Sequence, residues 1–210
     1  MRPRLITFDV FGTMVDWRRG LTNDLAGRGI ALAAADFDRV VDRQAALEQL
    51  RPLRSYRDIT AASLVDIVLL APADADAIGA QVGTWPLYPD SRPALRRMMR
   101  AVPCVAMTNS DRAHGTQVQG SLGFRLAAWV SAEDVGCYKP DPQFWHAVSA
   151  RLGVPPGPDW WHVSAYADYD LDAASALGLT TVFVSRPHSR PGPATHEVES
   201  LTKLADLAGV

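Results

Sequence analysis

The chain has little of what would mark a secreted scaffold or a polymer-binding protein. It holds only two cysteines, Cys104 and Cys137, too few for a disulfide framework and without metal-ligand spacing. Cys104 lies inside the apolar run from Val102 to Met107, where a buried, inert thiol is expected. Neither charge sign dominates: 21 Lys and Arg stand against 23 Asp and Glu, a formal net charge of -2. That balance argues against nucleic acid or an acidic membrane as partner. A long hydrophobic run is also missing at the N-terminus. Leu5 to Phe8 is too short for a signal segment or a membrane span, so a cytoplasmic protein without membrane contact is expected. No internal repeat is visible.

What is present suits a globular chain with a substantial core: 210 residues, 48% hydrophobic and 21% charged. Several short apolar runs each end in a polar cluster. They are Leu5 to Phe8 before Asp9, Pro103 to Met107 before Thr108-Asn109-Ser110, and Trp129-Val130 before Ser131. Trp161 to Val163 before Ser164, and Thr181 to Val184 before Ser185, complete the set. Runs this short and apolar on both faces read as strands of a buried parallel sheet. Between them lie helical stretches: Asp90 to Arg100, Pro142 to Leu152, and Asp172 to Leu177 stopped by Gly178. The alternation predicts an α/β chain with an open, doubly wound sheet, whose ligands bind beyond the carboxyl ends of the strands.

One stretch breaks the alternation. From Trp17 to Leu87 no strand is legible, and helices are expected at Asp36 to Leu50 and Ile59 to Leu70. On the first of these Val40, Val41, Leu47 and Leu50 form an apolar stripe. The expected organisation is a catalytic core of residues 1–16 and 88–210, with a small helical cap of residues 17–87 inserted after the first strand. Arg186 to Thr195, with Pro187, Pro191, Gly192 and Pro193, is expected to be a surface loop.

The residues that carry chemistry stand at the strand ends. In Phe8-Asp9-Val10-Phe11-Gly12-Thr13 a carboxylate leaves a strand just before Gly-Thr. It could act as a nucleophile if the turn exposes it and a hydroxyl orients it; an Asp that merely caps a turn is the alternative. Thr108 and Asn109 add donors at the second strand end. Lys139, before Pro140-Asp141, offers a cation for an anionic intermediate. Asp168 and Asp170 supply acids after the fourth. All four groups in this order are hard to obtain by chance.

The order Asp-x-x-Gly-Thr, Thr-Asn, Lys-Pro-Asp and a terminal acid resembles the four-motif signature of the haloacid-dehalogenase superfamily. The resemblance implies Asp9 as the nucleophile, a Rossmann-like core and a helical cap. Phosphatases of that superfamily carry a second Asp two residues after the nucleophile, where this chain has Phe11, which transfers no proton. A halide leaving group needs none. The run from Phe8 to Trp17-Arg18 is similar to the type II 2-haloacid dehalogenases. The resemblance therefore implies conversion of 2-haloacids to 2-hydroxyacids through an aspartyl ester, without metal or cofactor, on a small carboxylate substrate.

The same resemblance supplies a site. Asp9, Thr13, Thr108, Lys139 and Asp170 are the implied catalytic set, with Thr13 and Thr108 orienting Asp9. Val10, Phe11, Arg43, Asn109 and Trp145 are the implied substrate contacts. Arg43, in Arg43-Gln44 followed by Leu47-Glu48, matches the cap arginine that clamps the substrate carboxylate, for which a guanidinium fork is suited. A solvated arginine, like Arg39, Arg51, Arg54 and Arg57, is the other reading. Trp145 stands where the dehalogenases commonly have Tyr. Ser164 to Asp170 matches the fourth motif only loosely, with Ala167 in place of Asn. Two other functions stay open: a Mg²⁺-dependent phosphatase, its cation on Asp9, the Phe11 carbonyl and Asp170, and a catalytically weak binding relative. The resemblance also leaves a homodimer open.

Overall fold

A computed structural model describes residues 2–210. Six strands form one parallel sheet in the order β3-β2-β1-β4-β5-β6. They are β1 (Leu5–Phe8), β2 (Cys104–Thr108), β3 (Ala128–Ser131), β4 (Trp160–Ser164), β5 (Thr180–Val184) and β6 (His196–Val198). Every residue of β1, β2 and β4 is buried. This is why they read as unbroken apolar runs rather than alternating ones. Five of the strands fall where the apolar runs predicted them. β6 was not foreseen: it is three residues long, and only Val198 of them is buried.

Ten α-helices surround the sheet among the described residues. After β1 come α1 (Trp17–Ala26), α2 (Ala34–Glu48), α3 (Tyr56–Val68) and α4 (Pro72–Gln81), and no strand interrupts them. The predicted helices at 36–50 and 59–70 correspond to α2 and α3. Leu50 does not extend the buried stripe; it lies past the end of α2 and is exposed. The two ends of the all-helical segment meet, since Val15 pairs with Leu87, Asp16 N–H donates to Pro86 O at 2.8 Å and Tyr88 N–H to Met14 O at 3.0 Å. The chain thus leaves and rejoins the sheet layer at one neck.

The remaining helices are α5 (Ser91–Met98), α6 (Arg112–Leu122), α7 (Ala132–Val135), α8 (Pro142–Leu152), α9 (Asp172–Ala176) and α10 (Leu201–Leu207). Between β4 and α9 the chain makes one π-helical turn, Ala167–Leu171. β1 sits between β2 and β4, and the strand order reverses there, the position at which open α/β sheets bind their ligands. Asp9 follows β1 directly and its N–H donates to Val163 O at 2.9 Å. Among the described residues no helix is long and apolar enough to cross a membrane.

Candidate active site

Residues 9–13 build the centre of the site. The Val10 carbonyl accepts from the N–H groups of Thr13, Met14 and Val15, at 3.3, 2.8 and 2.9 Å, so the chain turns sharply after Asp9. Gly12 sits in this turn at φ +91°, and a Cβ on it would lie 2.4 Å from Cε2 of Tyr166. Glycine is required twice over there, for the left-handed backbone and for the ring packed against it. The turn brings the Thr13 hydroxyl back onto Asp9 Oδ2 at 2.8 Å. Thr13 Oγ1 in turn accepts from Ala165 N–H at 3.0 Å, which leaves its proton for the carboxylate.

Lys139 is fully buried between two carboxylates. Its Nζ donates to Asp9 Oδ1 at 3.0 Å and to Asp170 Oδ2 at 2.8 Å. Asn109 holds the Lys139 backbone from both sides: its Oδ1 accepts from Lys139 N–H at 2.7 Å and its Nδ2 donates to Lys139 O at 2.9 Å. Asp170 Oδ1 meets His162 Nε2 at 2.9 Å. Beyond it the row continues through Thr7 Oγ1, 2.8 Å from His162 Nδ1, which accepts from Trp160 Nε1 at 2.8 Å. Burial raises the Asp170 carboxyl, but Lys139 and His162 outweigh it and hold the group at about 2. Asp9 goes the other way. Burial pushes it above the ordinary carboxylate value, Lys139 pulls it back and the Asp170 charge pushes it up again. The pair thus divides the work: Asp170 anchors the ammonium, and Asp9 is the more basic oxygen.

Asp9 opens onto a cavity of about 210 Å³. Phe11, Trp17, Tyr56, Tyr166 and Tyr169 give it aromatic walls, while Val41, Gln44, Ala45 and Glu48 present one face of α2 to it. Phe11 stacks on Tyr56 with ring centroids 6.0 Å apart, and Tyr169 lies 5.7 Å from Lys139 Nζ across its ring. Glu48 accepts from Asn109 Nδ2 at 3.1 Å, and burial raises its carboxyl to about 8. At neutral pH this wall therefore carries a neutral acid.

Asp9, Phe11, Thr108, Asn109 and Lys139 all line the cavity, with Thr13 and Asp170 directly behind it. Four residues stand elsewhere than the resemblance implies. Arg43 does not line the cavity; its guanidinium pairs with Asp66 at 2.7 Å, both side chains 41% exposed. On a helix the inward stripe is 41, 44, 45 and 48, and residue 43 is turned out of it. Trp145 is wholly buried on α8, edge-on to His162 at 5.9 Å, and does not line the cavity; the ring beside the lysine is that of Tyr169. Val10 is buried in the core and contributes its carbonyl to the turn rather than a wall to the cavity. The Thr108 hydroxyl donates to Ser110 Oγ at 3.1 Å and leaves the orientation of Asp9 to Thr13.

Residues not foreseen include His162, Glu48, Tyr56, Tyr169 and Arg190. His162 had a signal, an ionisable residue in the middle of a fully apolar strand. Arg190 had none, because its segment reads only as a proline-rich loop.

A family profile described as haloacid dehalogenase-like hydrolase matches residues 3–178. The (S)-2-haloacid dehalogenase 4A of Burkholderia cepacia is 26% identical over 233 aligned residues, covering 97% of this chain and 94% of that protein. The (S)-2-haloacid dehalogenase 1 of Pseudomonas sp. (strain CBS-3) is 29% identical over 127 residues, 57% of this chain and 55% of that one. Among solved structures, the L-2-haloacid dehalogenase PA0810 superposes with a TM-score of 0.83 at 26% identity, covering 99% of this chain and 100% of that one. The chain belongs to the haloacid dehalogenase-like hydrolases.

Proposed function

We propose that this hydrolase converts (S)-2-haloacids to 2-hydroxyacids through an ester on Asp9. One observation carries the reading: the cavity sets a carboxylate held by Lys139 and Thr13 beside Phe11, with no proton donor two residues after the nucleophile. An alcohol leaving group would need that proton, whereas halide departs as a stable anion. The relatives named as (S)-2-haloacid dehalogenases support the same substrate class.

Asp9 attacks the α-carbon in line; the new carbon–oxygen bond forms as the carbon–halogen bond breaks, and halide leaves with the electron pair. The α-carbon inverts. Water then adds to Cγ of Asp9, and the Lys139 ammonium stabilises the oxyanion that develops there. The acyl–oxygen bond breaks and the alkoxide takes a proton from the attacking water. The 2-hydroxyacid leaves, Asp9 is restored with one oxygen from water, and one proton is released. Asp170 and His162 keep the ammonium in place throughout, and residues 17–87 act as the cap over the reacting atoms.

Every step runs on side chains of this chain, so halide release from L-2-chloropropionate is expected to be unchanged in excess EDTA. Asp170 already gives both oxygens to Lys139 and His162, against its use as a cation ligand. Phe11→Asp tests the branch. A second carboxylate beside Asp9 should repel the substrate and remove dehalogenation. Robust phosphate-ester hydrolysis that EDTA abolishes, with no halide released from any 2-haloacid, would overturn the reading.

A further inference from the structure

We infer that Arg190, carried by the loop after β5, is the side chain that binds the substrate carboxylate. The inference rests on the 2-haloacid reading above. It starts from a count of cations on the cavity wall: of the lining residues only Lys139 and Arg190 carry a positive charge. Lys139 is engaged by Asp9 and Asp170 at 3.0 and 2.8 Å, and it serves the reacting carboxylate. Arg43 faces Asp66 outside the cavity. A second anionic group entering the same space has one guanidinium left to meet.

Arg190 is well placed for that. Its backbone is pinned to the segment that carries Asp170, because Arg190 N–H donates to Ala165 O and Ala167 N–H to Arg190 O, both at 2.9 Å. The guanidinium then reaches across the cavity edge to α2, where it meets Asp42 at 2.9 Å, and lies 3.6 Å from Asp168. Both partners are well exposed, Asp42 at 68% and Asp168 at 50%. Pairs so open to water are worth little, so an incoming carboxylate can displace them and take the bidentate face of the fork. Asp42 is then a competitor for the substrate's own partner.

That competition separates a binding role from a merely structural tie between loop and helix. With L-2-chloropropionate, Arg190→Ala is expected to raise KM by about tenfold or more with a smaller effect on kcat, and Arg190→Lys to restore part of it. Asp42→Asn should lower KM, because it frees the guanidinium; a structural tie predicts an unchanged or higher KM and lower stability. Arg43→Ala should leave both constants within about twofold. An unchanged KM in Arg190→Ala, or an unchanged or raised one in Asp42→Asn, overturns the inference, and the latter with Arg190→Lys decides if Arg190→Ala does not fold. Should the wild type release no halide, the dehalogenase reading fails first. Arg190 is then judged by calorimetric binding of lactate, expected in the wild type and weakened in Arg190→Lys. Equal binding by both overturns it.

Discussion

Two carboxyl groups within one cavity are driven in ways that suit different tasks. Asp9 has Lys139 and Thr13 as donors and serves as the nucleophile in the proposed reaction, while Glu48 has only the Asn109 amide and is raised by burial to about 8. Below that pH Glu48 is protonated and adds no charge to the wall that meets an anionic substrate; above it, it ionises and repels the substrate. KM for a 2-haloacid is therefore expected to climb as pH rises through about 8, with little change on the acid side of that value. Glu48→Gln keeps an acceptor for Asn109 and should flatten the climb. A wild-type KM that is the same on both sides of this pH, or an unaltered climb in Glu48→Gln, would refute the assignment. Residue types alone did not announce this acid. In the sequence Glu48 is one more polar residue on an amphipathic helix, and only the packing of α2 against Asn109 sets it, half-buried, on the cavity wall.

At the scale of elements, legibility followed burial. Strands covered on both faces show as short apolar runs, and the first polar residues after the first two runs, Asp9 and Thr108, line the cavity because the strand ends share one edge. Asp9, Thr108 and the segment leading to Lys139 and Asp170 were found this way. Helical phase was harder to read. Arg43 matches a motif but lies off the stripe that faces inward, and Trp145 belongs to the buried face of α8 with Phe144 and Val148. The loop carrying Arg190 gave no periodicity to read. The turn after β1 was legible as Asp-x-x-Gly-Thr, and its glycine can be tested directly. Gly12→Ala places a side chain at φ +91° and against the Tyr166 ring, at a backbone cost of about 1–3 kcal/mol. Tyr166 accepts from Trp17 Nε1 at 2.8 Å, so the strain passes from the turn after β1 into α1. Urea unfolding should show the loss, with kcat falling alongside. Tyr166→Ala removes the ring, so the double variant should be less destabilised than the sum of the two singles. Strict additivity would show that the contact is not the source of the strain.

Across the whole molecule, the site sits at the crossing of its three parts: the sheet supplies Asp9 and Asp170, the α7–α8 connection supplies Lys139, and the helical segment closes the cavity from α2. Joining them buries two carboxylates around a single ammonium, an arrangement shaped for reaction rather than for stability. The two acids contribute with opposite sign. Asp170 is lowered to about 2 from an unfolded value of 3.8. Its stabilisation is present above the unfolded value and is lost as pH falls through the folded one. Asp9 is raised on folding, so its ionised form weighs against the native state, and protonating it relieves that load. Asparagine imitates the protonated acid: its carbonyl can still accept from Lys139 and its amide can donate to Thr13 Oγ1. Asp9→Asn should thus be inactive yet more stable than the wild type at neutral pH, by on the order of 1 kcal/mol for each unit by which folding raises the Asp9 pKa. The advantage should shrink as pH falls through the folded pKa of Asp9, because the wild type then carries the same neutral group. Urea midpoints for the two proteins, compared across that range, test the argument. A variant that is less stable at neutral pH, or a difference that does not depend on pH, would mean that Lys139 needs Asp9 more than burial penalises it.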